Sequence, residues 1–276
     1  MKAYATLTDI KSASFLNLSG TGYDTGLRKL LEESSDVIDK EVRFSFQPRE
    51  ETHYFDGVAA RLLLRFDPLL SVSTVKTDED GDGTFENTLA ATDYHLIPYN
   101  RFPKTALTIN PNGNYSYFGG KGTLKAIELV GIWGYGDGVS ATPYVDSGAT
   151  NNGAIDSTTA TTFSASDGTL LAVGMTIRIN TEQMYVTGIA ANVITVRRGQ
   201  NGTTAATHLT LQAISYYEYP PEIVEACLVQ AMRTFKRKDS QFLDVMGNAE
   251  TGLVTYVKQL DPDVALRIAH FKEIPV

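Results

Sequence analysis

PPEIVEACLVQAMRTFKRKDS, residues 220–240, reads as one amphipathic helix, and the rest of the chain is organised around it. Pro220 and Pro221 suit a helix start, and Glu222 and Glu225 complement the positive end of its dipole. Val224, Cys227, Leu228, Ala231 and Phe235 fall at helical spacing and form the expected buried stripe. Arg233, Lys236, Arg237 and Lys238 crowd the last turn. Cations are favourable there, so the basic run is read as dipole complement and solvated surface before it is read as a nucleic-acid site. Downstream, a second helix is expected over residues 242–258. A short third helix starts near Pro262, with Val264, Ile268 and Phe271 on its apolar side and Ile274 just beyond.

Upstream, the spacing of Leu27, Leu30, Leu31, Ser34, Ile38 and Val42 predicts a helix from about Tyr23 to Val42, with Asp24 or Thr25 as its cap. A shorter helical turn with Thr8 as its N-cap and Leu7 and Ile10 inward precedes it. From Thr52 the apolar period becomes that of strands. THYFDG, RLLLRF, SVSTVKT, DYHLIPY, TALTIN and KAIELVGIWGYG are separated by Gly, Pro, Asn and Asp clusters, which predicts a small antiparallel sheet. Residues from about Gly138 to Gly168 are Ser, Thr, Ala, Gly and Asn with almost no charge, as in a linker or a loose sheet edge. Beyond them Met175, Ile177 and Ile179 alternate with polar residues, and Asn201-Gly202 offers a turn, so a compact β module follows.

The chain has 276 residues, 42% hydrophobic and 20% charged, enough for one large domain or two modest ones. Its one cysteine, Cys227, excludes an intrachain disulfide and a Cys-x-x-Cys metal knuckle. The N-terminal stretch lacks the apolar core of a signal peptide, and no segment is apolar for long enough to span a bilayer, so the expectation is a reducing compartment and no membrane. A formal net charge of -8 argues against a protein that grips nucleic acid, yet acidic walls are compatible with DNA sliding past without sticking.

Few motifs carry chemistry. In DEDGDGTFE, Asp78, Asp80, Asp82, Gly83 and Glu86 match positions one, three, five, six and nine of a calcium loop. Position twelve is Leu89, which lacks the bidentate carboxylate that closes such a site, and the flanks read as strands, so a solvated acidic hairpin turn is the preferred reading. GTGYDTG, with Gly20, Gly22 and Gly26, has no strand before it and is read as a turn leading into a helix. GGKGT around Lys121 lacks phosphate-loop spacing. His53, His95, His208 and His270 are scattered, and Cys227 on a buried stripe makes a poor nucleophile. No catalytic residue, cofactor or firm metal site is assigned, and the chain is not expected to be an enzyme. Trp133 and the Tyr-rich NYSYFGG and SYYEYPP serve equally as core or as interface anchors.

Taken in order, TLTDIKSASFLN (6–17), LLEESSDVIDKEV (30–42), REETHYFDG (49–57), DPLLSVSTV (67–75), ATDYHLIPYN (91–100), LVGIWGYG (129–136) and the 220–240 helix resemble successive blocks of the head-to-tail connector, or adaptor, proteins of long-tailed bacteriophages. The resemblance covers most of residues 1–136 and 216–240. Residues 175–208 look like a small β module of other phage virion proteins, inserted where the family has a short link. The resemblance implies an α+β fold: a helical bundle core with a small antiparallel sheet, discontinuous over 1–136 and 217–276, plus an inserted all-β domain at 137–216. It implies a homo-oligomeric ring, commonly of twelve subunits, that joins the portal vertex to the tail in the virion neck after assembly in the host cytoplasm. The implied partners are the portal protein and a tail-completion or stopper protein, with genomic DNA passing through the channel unrecognised. On the same resemblance Val264, Ile268, Phe271 and Ile274 become candidate contacts to the portal or a neighbouring subunit, their own core being the alternative. The rivals are another neck or tail protein (a tail terminator, neck decoration or fibre-docking protein acting through the β insert) and, less favoured, a metal-dependent hydrolase.

Overall fold

The computed structural model describes residues 2–57, 64–118, 123–237, 245–248, 253–256 and 260–273. They fall into two compact units. One unit is a sheet built from Phe44–Tyr144 together with Asn201–Thr203; the other combines Met1–Arg43, Val145–Gln200 and Thr204–Glu273.

The sheet unit holds β1 (Arg49–Phe55), β2 (Leu64–Thr77), β3 (Asn87–Leu89), β4 (Tyr94–Ile97), β5 (Lys104–Ile109) and β6 (Ile127–Trp133). They pair antiparallel in the order β1-β6-β2-β5-β4, with β3 on β2. Two of the expected strands are one. The described part of RLLLRF, residues 64–66, and SVSTVKT merge into β2, which carries Pro68 at a register shift between Arg65 and Leu69, where a missing N–H costs no ladder bond. Alternation along β6 buries Ile127, Leu129 and Trp133 on one face. Trp133 sits opposite Arg49 and donates its indole N–H to Glu51 O at 3.0 Å, with His53 stacked on it at 3.8 Å and Phe66 edge-on at 5.6 Å. Phe118, Leu69, Leu107 and Val75 complete this core.

In the second unit β7 (Tyr144–Thr150), β8 (Thr162–Ser164), β9 (Thr176–Ile179), β10 (Glu182–Ala190), β11 (Val193–Arg197) and β12 (Ala213–Tyr217) pair in the order β7-β12-β9-β10-β11-β8. The two edge strands then meet. Asn151 bridges Ala165, Asn152 N–H donates to Ser164 O at 2.7 Å and Ser166 N–H to Thr150 O at 2.7 Å, so the sheet curls into a barrel. Ile177, Ile179, Met184, Val186, Ile194, Val196 and Ile214 fill it.

Helices α1 (Leu7–Lys11), α2 (Asp24–Val42), α3 (Pro221–Arg237) and α4 (Pro262–Ile268) belong to this same unit. The α1 cap is Thr6, two residues before the expected Thr8, and forms a capping box with Asp9. For α2 the cap position is Tyr23, which makes no side-chain capping bond; Asp24 is held by Lys11 at 2.5 Å. Leu27, Leu31 and Ile38 of α2 are fully buried, each contributing roughly 1.5–3 kcal/mol by leaving water. On α3 the buried face is rotated from the expected stripe and runs through Ile223, Ala226, Cys227, Leu228, Gln230 and Ala231. The helices are also bonded to the barrel. Leu7 N–H donates to Val173 O at 2.9 Å, and Tyr185 of β10 donates to Glu32 of α2 at 2.9 Å.

A helical bundle core with only a small sheet is therefore not what forms: two six-stranded antiparallel sheets dominate. Each sheet encloses an apolar cluster of its own, whereas the helices are amphipathic and few. Of the two readings of the weakly charged 138–168 stretch, the sheet edge is the one that forms and the linker is not. The stretch supplies β7 and β8, and Ala149, Phe163 and the following Ala165 enter the barrel core. Where a helix was expected over 242–258, the described residues form the antiparallel strands β13 (Val245–Asn248) and β14 (Leu253–Tyr256) instead, and the rest of that range lies outside the described residues. Gly247, with the β-branched Val245, Val254 and Thr255, favours this outcome over a helix.

Candidate functional site

The acidic motif closes the β2–β3 hairpin, where Thr77 pairs with Asn87 and leaves residues 78–86 as the loop. Asp78 is buried and its two carboxylate oxygens accept the N–H groups of Gly81 at 2.6 Å and Gly83 at 2.9 Å. Both glycines have left-handed φ angles, +85° and +89°, a conformation that costs a side-chain-bearing residue dearly. Asp82 accepts from Thr84 N–H at 2.7 Å, Asp80 from Asp82 N–H at 3.2 Å, and Glu86 reaches back to Glu79 N–H at 3.2 Å. Asp78, Asp80, Asp82 and Glu86 thereby each offer an oxygen within 4.8 Å of the others. They are the residues on which a hard divalent cation would find oxygen donors, while Leu89, the twelfth position, is a buried strand residue that offers no carboxylate.

Val264, Ile268 and Phe271 are buried within the second unit, where α4 packs on α3; Ile274 lies outside the described residues. Asp261 caps α4 through Asp263 N–H at 2.9 Å and pairs with Arg233 of α3, while Arg267 grips Glu225 through two bonds of 2.8 Å. The apolar residue that α4 turns outward is Leu266, 77% exposed. Of the basic run, Arg233 is thus committed to an ion pair, and Lys238 lies outside the described residues, as does Lys121 with most of GGKGT.

Cys227 is fully buried beside Ser35, its Sγ 3.4 Å from the hydroxyl, and burial pushes the thiol up to about 11, unsuited to nucleophilic attack. Trp133 is core, at 1% exposure. On the sheet unit an open cleft of about 300 Å³ is lined by Glu50, Glu51 and Thr52 of β1, Ser73 of β2 and the Val130–Ile132 stretch of β6. Its Glu51 carboxylate is already engaged by Arg49 at 3.0 Å and His53 at 3.0 Å.

One polar centre escaped the sequence reading altogether. Glu182, at the start of β10, is fully buried and accepts five bonds: Arg198 through two nitrogens at 2.7 Å, His208 Nε2 at 2.8 Å, and the N–H groups of Gly199 and Ala206 at 3.0 Å. Burial alone would raise this carboxyl, but Arg198, Ala206, His208 and Gly199 outweigh it and bring it down to about 2. His208 Nδ1 lies 3.3 Å from Asn180 Nδ2, a donor, so Nε2 carries the proton that Glu182 receives. Every member has a partner and the cluster pins the 198–208 loop to the barrel, which is structural chemistry. Nothing in the spacing of residues 182, 198 and 208 announces it.

No protein-family model matches the chain, and no curated protein is detectably similar to it. The connector resemblance therefore rests on the quoted blocks.

Proposed function

We propose that the chain is a structural subunit of a phage neck, a connector that rings the portal and continues the DNA conduit towards the tail. The observation that carries the reading is the joining of the two ends of the resemblance. The LLEESSDVIDKEV helix and the PPEIVEACLVQAMRTFKRKDS helix lie about 180 residues apart in sequence but pack together, with Ser35 against Cys227 at 3.4 Å and Cys227 Sγ against Leu31 O at 3.6 Å. A discontinuous family core interrupted by an insertion requires this pairing. The net charge of -8 fits a wall along which DNA slides.

The test mixes the purified chain with isolated portal rings and follows co-sedimentation, with duplex DNA titrated separately at physiological salt. The reading predicts co-sedimentation at a fixed stoichiometry and at most weak, salt-sensitive DNA association. Absence of portal binding, or tight sequence-dependent DNA binding, refutes it.

A further inference from the structure

The sheet edges of the molecule are not managed alike. In the barrel the two edge strands are bridged to each other. In the sheet unit β3 is three residues long, and β4 is four with Pro98 directly after it, the short and proline-bounded form that protects an edge. The β1 strand has neither protection. It runs seven residues, REETHYF, without Pro or Lys, at the end of the sheet with β6 on one side. Glu50 N–H donates to Asn201 O at 2.8 Å, away from β6. By the alternation of an antiparallel ladder, the N–H and C=O groups of Thr52 and Tyr54 point the same way. Among the described residues neither N–H has a partner, and both residues are exposed.

The cleft of the sheet unit adjoins this open stretch. It shares Glu50 and Thr52 with the edge, and Val130 and Ile132 of β6 give it an apolar floor. Thr52 is shorter than Glu50 and Tyr54 on either side of it, so a long side chain arriving from beyond β1 crosses the rim there. Glu51 is engaged by Arg49 and His53, and Asp56 accepts Lys125 N–H at 2.9 Å. Lys125 Nζ stands 4.0 Å over the Tyr54 ring and covers the far end of the rim. The carboxylate of Glu50 is exposed and forms no ion pair among the described residues.

We propose that β1 takes up a short extended segment of another protein as an added strand, with an arginine or lysine of that segment facing Thr52 and reaching Glu50 through the cleft. Two features choose this occupant. Outward N–H and C=O groups at strand spacing are the complement of an extended polypeptide backbone. The free carboxylate repels a phosphate and attracts a cation, and a residue facing Thr52 lies roughly 7–8 Å from Glu50 on the diagonal, within reach of a long side chain. Its methylenes then rest on Val130 and Ile132 while the charge stays wet.

The inference goes beyond the connector reading and does not depend on it. The test uses the full chain and a labelled, end-blocked seven-residue peptide of alternating threonine and valine with arginine at its centre, followed by fluorescence anisotropy. Saturable binding is expected, weakened about tenfold or more when alternate peptide amides are N-methylated, since that removes the donors of the added strand. Thr52→Pro should weaken it as much, because the proline deletes an outward N–H and no β1–β6 bond. Glu50→Gln, or glutamate at the centre of the peptide, should weaken it about twofold to fivefold, the size of an exposed ion pair. The proposal fails if the arginine peptide does not saturate, or if N-methylation leaves binding unchanged. It fails equally if sedimentation shows an association of the chain with itself that Thr52→Pro abolishes, since a second copy would then be what covers β1. Should Thr52→Pro melt well below the parent, the N-methylated peptide on the parent and Glu50→Gln decide the matter.

Discussion

In the sheet unit the core is built from stacked rings: Trp133 with His53, Phe55 and Phe66 around it, and Phe118 fully buried. In the barrel the buried cluster contains a single aromatic, Phe163, among aliphatic side chains, and the loop that precedes β12 is fastened by a buried carboxylate. Two six-stranded antiparallel sheets of the same chain thus reach order by different means. One relies on ring area and edge-to-face geometry, the other on closure of its edges and a fully satisfied ionic pin. Aromatic cores lose stability roughly in proportion to the area removed. An ionic pin fails abruptly, because deleting one partner strands the others in a dry interior.

The largest effect that would separate the two sheets comes from excision. Replacing residues 138–215 with a short Gly/Ser link removes the barrel to which Leu7 and Glu32 are bonded. Helical circular dichroism should collapse while Trp133 fluorescence keeps its buried emission. A variant that retains full, cooperatively melting helicity would show that α1–α4 do not need the barrel.

Point substitutions come next. Glu182→Ala should cost about 3–5 kcal/mol, as expected when a buried ion pair loses one member. Trp133→Ala should cost a similar amount, about 3–5 kcal/mol, through lost area and a cavity. Denaturant titration tells them apart: the first should move the far-ultraviolet transition of the barrel unit and leave the Trp133 fluorescence midpoint in place. Equal shifts by both probes would mean that the chain unfolds as one cooperative body.

Acid should act on the pin first. The Glu182 carboxyl is depressed from 4.5 to about 2, so its contribution is complete above about 4.5 and is lost as pH falls through about 2. That shift corresponds to about 3 kcal/mol. Glu182→Gln should be less stable than the parent at pH 7 and should show a flatter loss between pH 4.5 and 2. Parallel acid profiles would assign the loss to other carboxylates.

The smallest effect is expected at the acidic hairpin. Asp80→Asn/Asp82→Asn should shift the melting temperature by no more than a degree or two, with calcium added or chelated, because both side chains are exposed and mainly order their own turn. A calcium-dependent rise in the parent that vanishes in the variant would make the loop a calcium site in spite of Leu89.

What the sequence revealed follows the same divide. Helical spacing located α2 and α3 to within a few residues, and alternation located β4, β5 and β6, because each keeps one apolar period along its length. The β2 strand was split in reading because Pro68 looks like a terminator, although a register shift accommodates it. Residues 138–168 read equally as a linker or a loose sheet edge, and the edge is what forms; the ambiguity arises because β7 and the residue after β8 place small side chains, Ala149 and Ala165, where the barrel closes, and small residues carry little hydrophobic signal. The calcium-like spacing of Asp78 to Glu86 was visible because its residues are contiguous. The partners of Glu182 were not, since Arg198 and His208 meet it only once β10 and the following loop have folded. Val264, Ile268 and Phe271 stood out as an apolar face, but sequence could not say which surface covers them; within the same chain α4 packs on α3, and the turn that carries Phe271 packs on α2.

The most direct test of the connector proposal is imaging of the chain in place. Electron microscopy of particles assembled with a tagged copy should show a closed ring of subunits on the tail axis, directly beneath the portal, with an open channel through its centre. Density confined to the particle periphery, or no ring on the axis, would contradict it.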